Sequence, residues 1–142
     1  SHTCALVAGG QVKCWGSNGN GGLGDGTNTD RATPVAVVGL SGATVLVSGS
    51  GHTCAVVAGG QVKCWGYNRY GQLGDGTDTD RATPVTVIGL SGVTALSTGP
   101  YSACVVVASG QVKCWGWQVN RKFDGTNDNR WTPVTKYGIT VA

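Results

Sequence analysis

Residues 51–66 read GHTCAVVAGGQVKCWG. The same words stand at 1–16 as SHTCALVAGGQVKCWG and at 101–116 as YSACVVVASGQVKCWG. Further along the chain, LGDGTDTDRATPVTVIGLSGVTAL at 73–96 repeats LGDGTNTDRATPVAVVGLSGATVL at 23–46. The first two copies agree at roughly seven positions in ten. The third is one residue shorter after Trp117 and realigns at FDGTNDNRWTPV. Self-similarity at a fixed period marks a chain built from stacked copies of one supersecondary unit. The copies divide the chain at 1–50, 51–100 and a degenerate 101–142.

Within the second copy, 52–58 and 61–66 alternate apolar and polar residues and are joined by Gly59-Gly60, which predicts a β-hairpin. A long polar loop follows over 67–83. A third strand is expected over 84–88, with Pro84 at its first position. The turn Gly89-Leu90-Ser91-Gly92 then leads into a fourth strand over 93–97. No segment carries a sustained helical period. Four strands in a repeat of about 50 residues is the make-up of a propeller blade. The fold class is therefore all-β: three four-stranded antiparallel blades of a β-propeller, forming an open arc.

Composition fits this reading. The 142 residues include 25 glycines, no methionine and one phenylalanine, with 40% hydrophobic and 12% charged side chains. Glycine at that level without a collagen period belongs to a structure rich in tight turns. The net charge of +3 is dispersed singly through the repeats, so nucleic-acid binding is not indicated. No apolar run reaches the ~18 residues of a membrane span.

The pattern GHTCAVV…G.VKCWGYNRYGQLGDGT…TPV.V.GL.GVTAL resembles the regulator of chromosome condensation repeat across essentially the whole chain. Its cysteine-bearing form is similar to the repeats of bacterial extracellular proteins. The resemblance implies a propeller, usually of seven blades, whose members mostly engage other proteins. In the third copy the glycines matching Gly71 and Gly74 are missing, and Trp117, Lys122 and Trp131 are new.

The cysteines fall as Cys4 and Cys14, Cys54 and Cys64, and Cys104 and Cys114, all at one spacing. Six cysteines allow 15 connectivities. A hairpin pairing Leu6 with Val12 sets Cys4 opposite Cys14. Opposed residues lie ~4.5 Å apart between Cα atoms in a non-hydrogen-bonded pair, a separation a disulfide tolerates. One disulfide per repeat is expected, and with it an oxidising compartment, extracellular or at the cell surface. The competing reading is buried free thiols packed as small hydrophobes. Zinc fits poorly, since no CxxC occurs and Ser102 replaces the repeated histidine.

His2 and His52 occupy one repeat position and have no nucleophile motif beside them, so a structural role is expected and enzyme activity is not. Asp25 and Asp30, with their counterparts Asp75 and Asp80, are weak Ca²⁺ candidates. Their spacing does not follow the EF-hand, and Asp-Gly is ordinary turn chemistry. No helix follows the glycine-rich stretches to aim at a phosphate. No cofactor is expected. Trp15, Trp65 and Trp115 recur and are expected to pack the blades. Tyr67, Tyr70, Trp117 and Trp131 break the repeat in or near loops and are the candidate contact residues for a protein or carbohydrate partner.

A propeller closes with typically 4–8 blades, so three copies imply further blades or further copies of the chain. Residues 139–142 align with the start of a fourth strand. On that alignment the end of one copy completes the first hairpin of the next, as a ring or a filament. The alternative is a piece of a longer propeller. The expected function is a non-enzymatic binding scaffold, with a self-assembling structural protein as the alternative.

Overall fold

A computed structural model describes residues 1–117 and 129–141. Three antiparallel sheets follow one another along the chain. The first contains β1 (His2–Val7), β2 (Gln11–Gly16) and β3 (Arg31–Ala36). The second runs β4 (Val45–Ser48), β5 (His52–Val57), β6 (Gln61–Gly66) and β7 (Arg81–Thr86). The third runs β8 (Val93–Thr98), β9 (Ser102–Val107), β10 (Gln111–Gly116) and β11 (Arg130–Thr140). No helix is long and apolar enough to cross a membrane among the described residues.

Blades and sequence repeats are offset. The inner strand of the second blade, β4, is supplied by residues 45–48, inside the first sequence repeat. The inner strand of the third, β8, likewise comes from the second repeat. Among the described residues the first sheet therefore holds three strands rather than the expected four.

The hairpins follow the register read from the cysteine spacing. Leu6 faces Val12 and Cys4 faces Cys14, and the second and third repeats do the same with Cys54–Cys64 and Cys104–Cys114. Each opposed pair is a disulfide, with Cα atoms 4.0, 4.1 and 4.1 Å apart. A slip of one residue would have put the two sulfurs on opposite faces. The three disulfides point to an oxidising setting.

Two expectations are corrected. The third strand of the repeat starts at Arg81, not at Pro84, so Pro84 lies inside β7. β7 is the outer edge of its sheet, with β6 on one side only, so the missing N–H of Pro84 leaves no ladder bond unmade. A bulge between Cys64 and Gly66 brings Arg81 opposite Gly66. The second correction concerns Ile139 and Thr140. Thr140 pairs with Gln111, and the Val141 N–H donates to the Gly110 carbonyl at 2.9 Å. Ile139 and Thr140 therefore end the outer strand of their own blade, while the Val141 bond matches those of Ala43 to Gly10 and Val93 to Gly60 at the entry to β4 and β8; Ala142 lies outside the described residues. A register shift between Gln111 and Val112, with Gly138 at φ 81°, carries the tail round.

The core lies between blades. One cluster joins the first blade to the second through Val12, Leu23, Val37, Ala55, Val57 and Trp65. The other joins the second to the third through Val56, Val62, Leu73, Val87, Val105 and Trp115. Alternate residues of β5 serve opposite seams: Ala55 and Val57 one, Cys54 and Val56 the other. All six residues of β5 are consequently buried, whereas Leu6 and Val7 of β1 are exposed.

Candidate binding face

The loop after the hairpin of each of the first two repeats is held by one asparagine. In the second blade Asn68 is fully buried. Its amide nitrogen donates to the carbonyls of Thr77 and Thr79 at 3.0 and 2.9 Å and reaches Asp75 at 3.2 Å. Its Oδ1 accepts the Leu73 N–H at 2.9 Å, and its own N–H donates to Asp80 at 2.8 Å. Asn18 repeats this set in the first blade with Thr27, Thr29, Leu23, Asp25 and Asp30.

The candidate calcium ligands belong to this lock. Asp75 Oδ1 accepts from the N–H and hydroxyl of Thr77, and Oδ2 pairs with Arg81 at 3.1 Å. Asp25 does the same with Thr27 and Arg31. Burial pushes both carboxyls up, but the bonds from Thr77 and Arg81, or Thr27 and Arg31, outweigh it and hold them below the usual carboxylate value. Among the described residues no group of three or more His, Cys, Asp or Glu side chains is placed to share a metal ion.

The repeated tryptophans bolt each blade to the loop of the one before. Trp65 and Trp115 are fully buried and donate their indole N–H to the carbonyls of Gly22 and Gln72 at 2.9 and 2.8 Å. The ring seats against a glycine. A Cβ on Gly24 would stand 2.8 Å from Trp65 Nε1, and one on Gly74 3.0 Å from the Trp115 ring. The matching position of the third copy lies outside the described residues, as do Lys122 and Phe123.

The histidines lie beneath the same face. His2 Nε2 is 2.7 Å from the Thr53 hydroxyl. The third copy has Ala103 at the position of Thr53, and His52 Nε2 instead lies 3.3 Å from the Ser102 carbonyl oxygen. His52 is fully buried, its Nδ1 has no hydrogen-bond partner, and burial lowers its pKa to about 4.

Above this frame the two seams differ. Between the first and second blades, Ser17, Asn20, Gly22 and Gly51 help line an open cavity of about 160 Å³. Between the second and third, the positions of Ser17, Asn20 and Gly51 carry Tyr67, Tyr70 and Tyr101, and Trp117 stands where the second repeat has Tyr67. The backbone beneath is unchanged: Tyr67 N–H donates to Gly51 O and Trp117 N–H to Tyr101 O, both at 2.9 Å. The four rings cluster. Tyr70 and Tyr101 have centroids 5.3 Å apart, Tyr101 and Trp117 5.9 Å, and Tyr67 and Tyr70 6.2 Å. Tyr67, Tyr70 and Tyr101 are half-buried and Trp117 is 43% exposed.

Three of the four candidate contact residues are thus brought together, with Tyr101 added from the turn before β9. Its signal was present as the only aromatic at a position that is Ser1 and Gly51 elsewhere. Trp131 is not part of the cluster. It lies on β11, not in a loop, its carbonyl accepts the Gly76 N–H at 2.9 Å, and a Cβ on Gly71 would lie 2.8 Å from its Cα. It occupies the place of Ala32 and Ala82 at the blade edge.

Sequence profiles of the regulator of chromosome condensation (RCC1) repeat match residues 1–21 with 44–72, and residues 59–106. No curated protein sequence matches significantly. Among solved structures, human WBSCR16 is 23% identical, with a TM-score of 0.83 over 98% of this chain and 37% of its own. Yeast RCC1 (Prp20), solved with Kap60, is 17% identical, with a TM-score of 0.78 over 97% of this chain and 36% of its own. The receptor kinase CR4 ectodomain of Physcomitrella patens is 26% identical, with a TM-score of 0.54 over 83% of this chain and 28% of its own. The chain spans little more than a third of the length of the first two. Because the repeat profiles match more than half of its length, this chain belongs to the regulator of chromosome condensation (RCC1) repeat family of β-propellers.

Proposed function

We propose that this chain is part of a non-enzymatic propeller scaffold that binds a protein partner through the loop face at the seam of the second and third blades. One observation carries the reading: at one of two otherwise equivalent seams three tyrosines replace Ser17, Asn20 and Gly51, and with Trp117 they form a cluster of four rings. Packing needs do not account for the change, because Ser17, Asn20 and Gly51 serve the same backbone at the other seam. Aromatic side chains raised on a rigid frame supply contact area with little rotamer entropy to lose. An extracellular or cell-surface setting accords with the three disulfides, and the CR4 relative is itself an ectodomain.

The test compares the chain with the exchange Tyr67→Ser/Tyr70→Asn/Tyr101→Gly, which writes the first seam's residues into the second. Both are immobilised and used for capture from extracellular fluid, with mass spectrometry of what is retained. Specific capture that disappears with the exchange supports the reading, and equal capture by both contradicts it.

A second reading is assembly. Among the described residues β1 has no strand on the side that β4 and β8 occupy in the other blades, and Leu6 and Val7 beside it are exposed. A strand from a further blade or a second copy would cover that edge. Native mass spectrometry separates the two: a concentration-independent monomer removes the second copy as the source.

A further inference from the structure

We infer that the cluster of Tyr67, Tyr70, Tyr101 and Trp117 is a docking site for an extended, proline-rich polypeptide segment. This rests on the scaffold reading above and names its occupant. The shape of the cluster comes first. Neighbouring rings meet at 51° to 88°. No two neighbouring faces are coplanar, so the surface is a set of ridges and furrows and not a flat plate. Flat ligands such as a pyranose or a base stack on a plate. A polyproline II segment, with three residues per turn and a rise of about 3.1 Å, presents ridges of its own.

Hydrogen bonding points the same way. Proline has no N–H, and a polyproline II helix makes no internal bonds, so its carbonyls face outward as unsatisfied acceptors. The cluster is rich in donors. Among the described residues, neither the three phenols nor the Trp117 indole N–H has a hydrogen-bond partner. Burial, with the neighbouring Tyr70, raises the Tyr67 pKa above its ordinary value. Arg69, exposed on the same loop, adds a guanidinium. Aromatic-lined grooves with such donors recognise this conformation, whose stiffness lowers the ordering cost of binding.

The rings are also braced. Gln72, fully buried, accepts the Tyr70 N–H on its Oε1 at 2.9 Å, while its backbone carbonyl takes the Trp115 indole. The first seam has Gly22 at this position and no such brace. The brace and the rings occur together, at the same seam, which is the arrangement expected of a preorganised site.

The experiment is isothermal titration of the disulfide-bonded 142-residue chain with a decaproline peptide, an alternating Ala-Gly decapeptide and chitohexaose. Saturable binding of decaproline alone is expected. The exchange Tyr67→Ser/Tyr70→Asn/Tyr101→Gly weakens it at least about tenfold, a loss of roughly 1.4 kcal/mol, and Trp131→Ala leaves it within about twofold. Near-ultraviolet circular dichroism checks the fold of each variant. Should the triple exchange not fold, Tyr101→Gly alone, at a position where the second repeat already has glycine, gives the same readout. No saturable decaproline binding, binding unaffected by the exchange, or preference for chitohexaose each overturns the inference. If decaproline fails while partner capture is still lost with the exchange, the occupant is wrong and the scaffold reading stands.

Discussion

Trp115 donates its indole N–H to the carbonyl of Gln72 at 2.8 Å, a bond that crosses from the third blade to the loop of the second. Trp65 makes the same bond to Gly22 one blade earlier. These bonds join neighbouring sheets that share no strand pairing, and they sit inside the two apolar clusters.

Trp115→Phe keeps most of the ring and removes the donor, leaving the Gln72 carbonyl buried without its partner. It is expected to cost about 1–3 kcal/mol, and Trp115→Ala about 3–5 kcal/mol. Urea unfolding with a fixed m-value checks both.

The glycine under that ring allows a controlled comparison. Gly74 has φ 64°, and a Cβ there would lie 2.7 Å from Val87 Cγ1. Gly89 has φ 76° with nothing within 4 Å of an added Cβ. Gly89→Ala is expected to cost about 1 kcal/mol in backbone strain alone. Gly74→Ala adds steric overlap and is expected to cost about 2–4 kcal/mol. Equal destabilisation of the two by urea unfolding would contradict the seat described for Trp115.

Acid should weaken the fold through His52. Its folded pKa of about 4 lies below the ordinary value of 6.5, so the unfolded chain binds the proton more readily. Stability is full above pH 6.5, falls as pH drops from 6.5 toward 4, and loses about 3 kcal/mol across that window. Asp25 and Asp75, held below 3.8, contribute stability that is lost only at lower pH still. His52→Gln is expected to flatten the profile between pH 6.5 and 4, measured as unfolding free energy against pH, with a lower plateau where the substitution itself costs packing.

Asn68→Ala removes the side-chain bonds to Leu73, Asp75, Thr77 and Thr79 that hold the loop of the second blade. The Leu73 amide loses its acceptor, and its hydrogen exchange is expected to quicken by at least about tenfold. Global stability falls by about 2–4 kcal/mol, given the number of bonds lost and the polar groups left unsatisfied. Unchanged exchange at Leu73 would contradict the lock.

The fold was legible wherever the period was. Cysteine spacing around a Gly-Gly turn was enough to place Leu6 opposite Val12, because a two-residue side-chain period leaves one register with both sulfurs on one face. The repeat also showed which tryptophans pack blades. It did not show that Asn18 and Asn68 organise the loops, since their partners lie 5 to 12 residues away in irregular chain with no periodic signature. The grouping of Tyr70 with Tyr101 and Trp117 was hidden for another reason: it depends on how one blade sits beside the next. Trp131 read as a loop residue because the third copy loses its glycines just upstream, whereas strand pairing with β10 reclaims it.

Mass spectrometry of the unreduced, proteolysed chain reads out how the six cysteines pair, on which the hairpin register of every repeat depends. The expected pairs are Cys4–Cys14, Cys54–Cys64 and Cys104–Cys114, each closing its own hairpin. A bond joining cysteines of different repeats, or three pairs of free thiols after isolation under oxidising conditions, would contradict it.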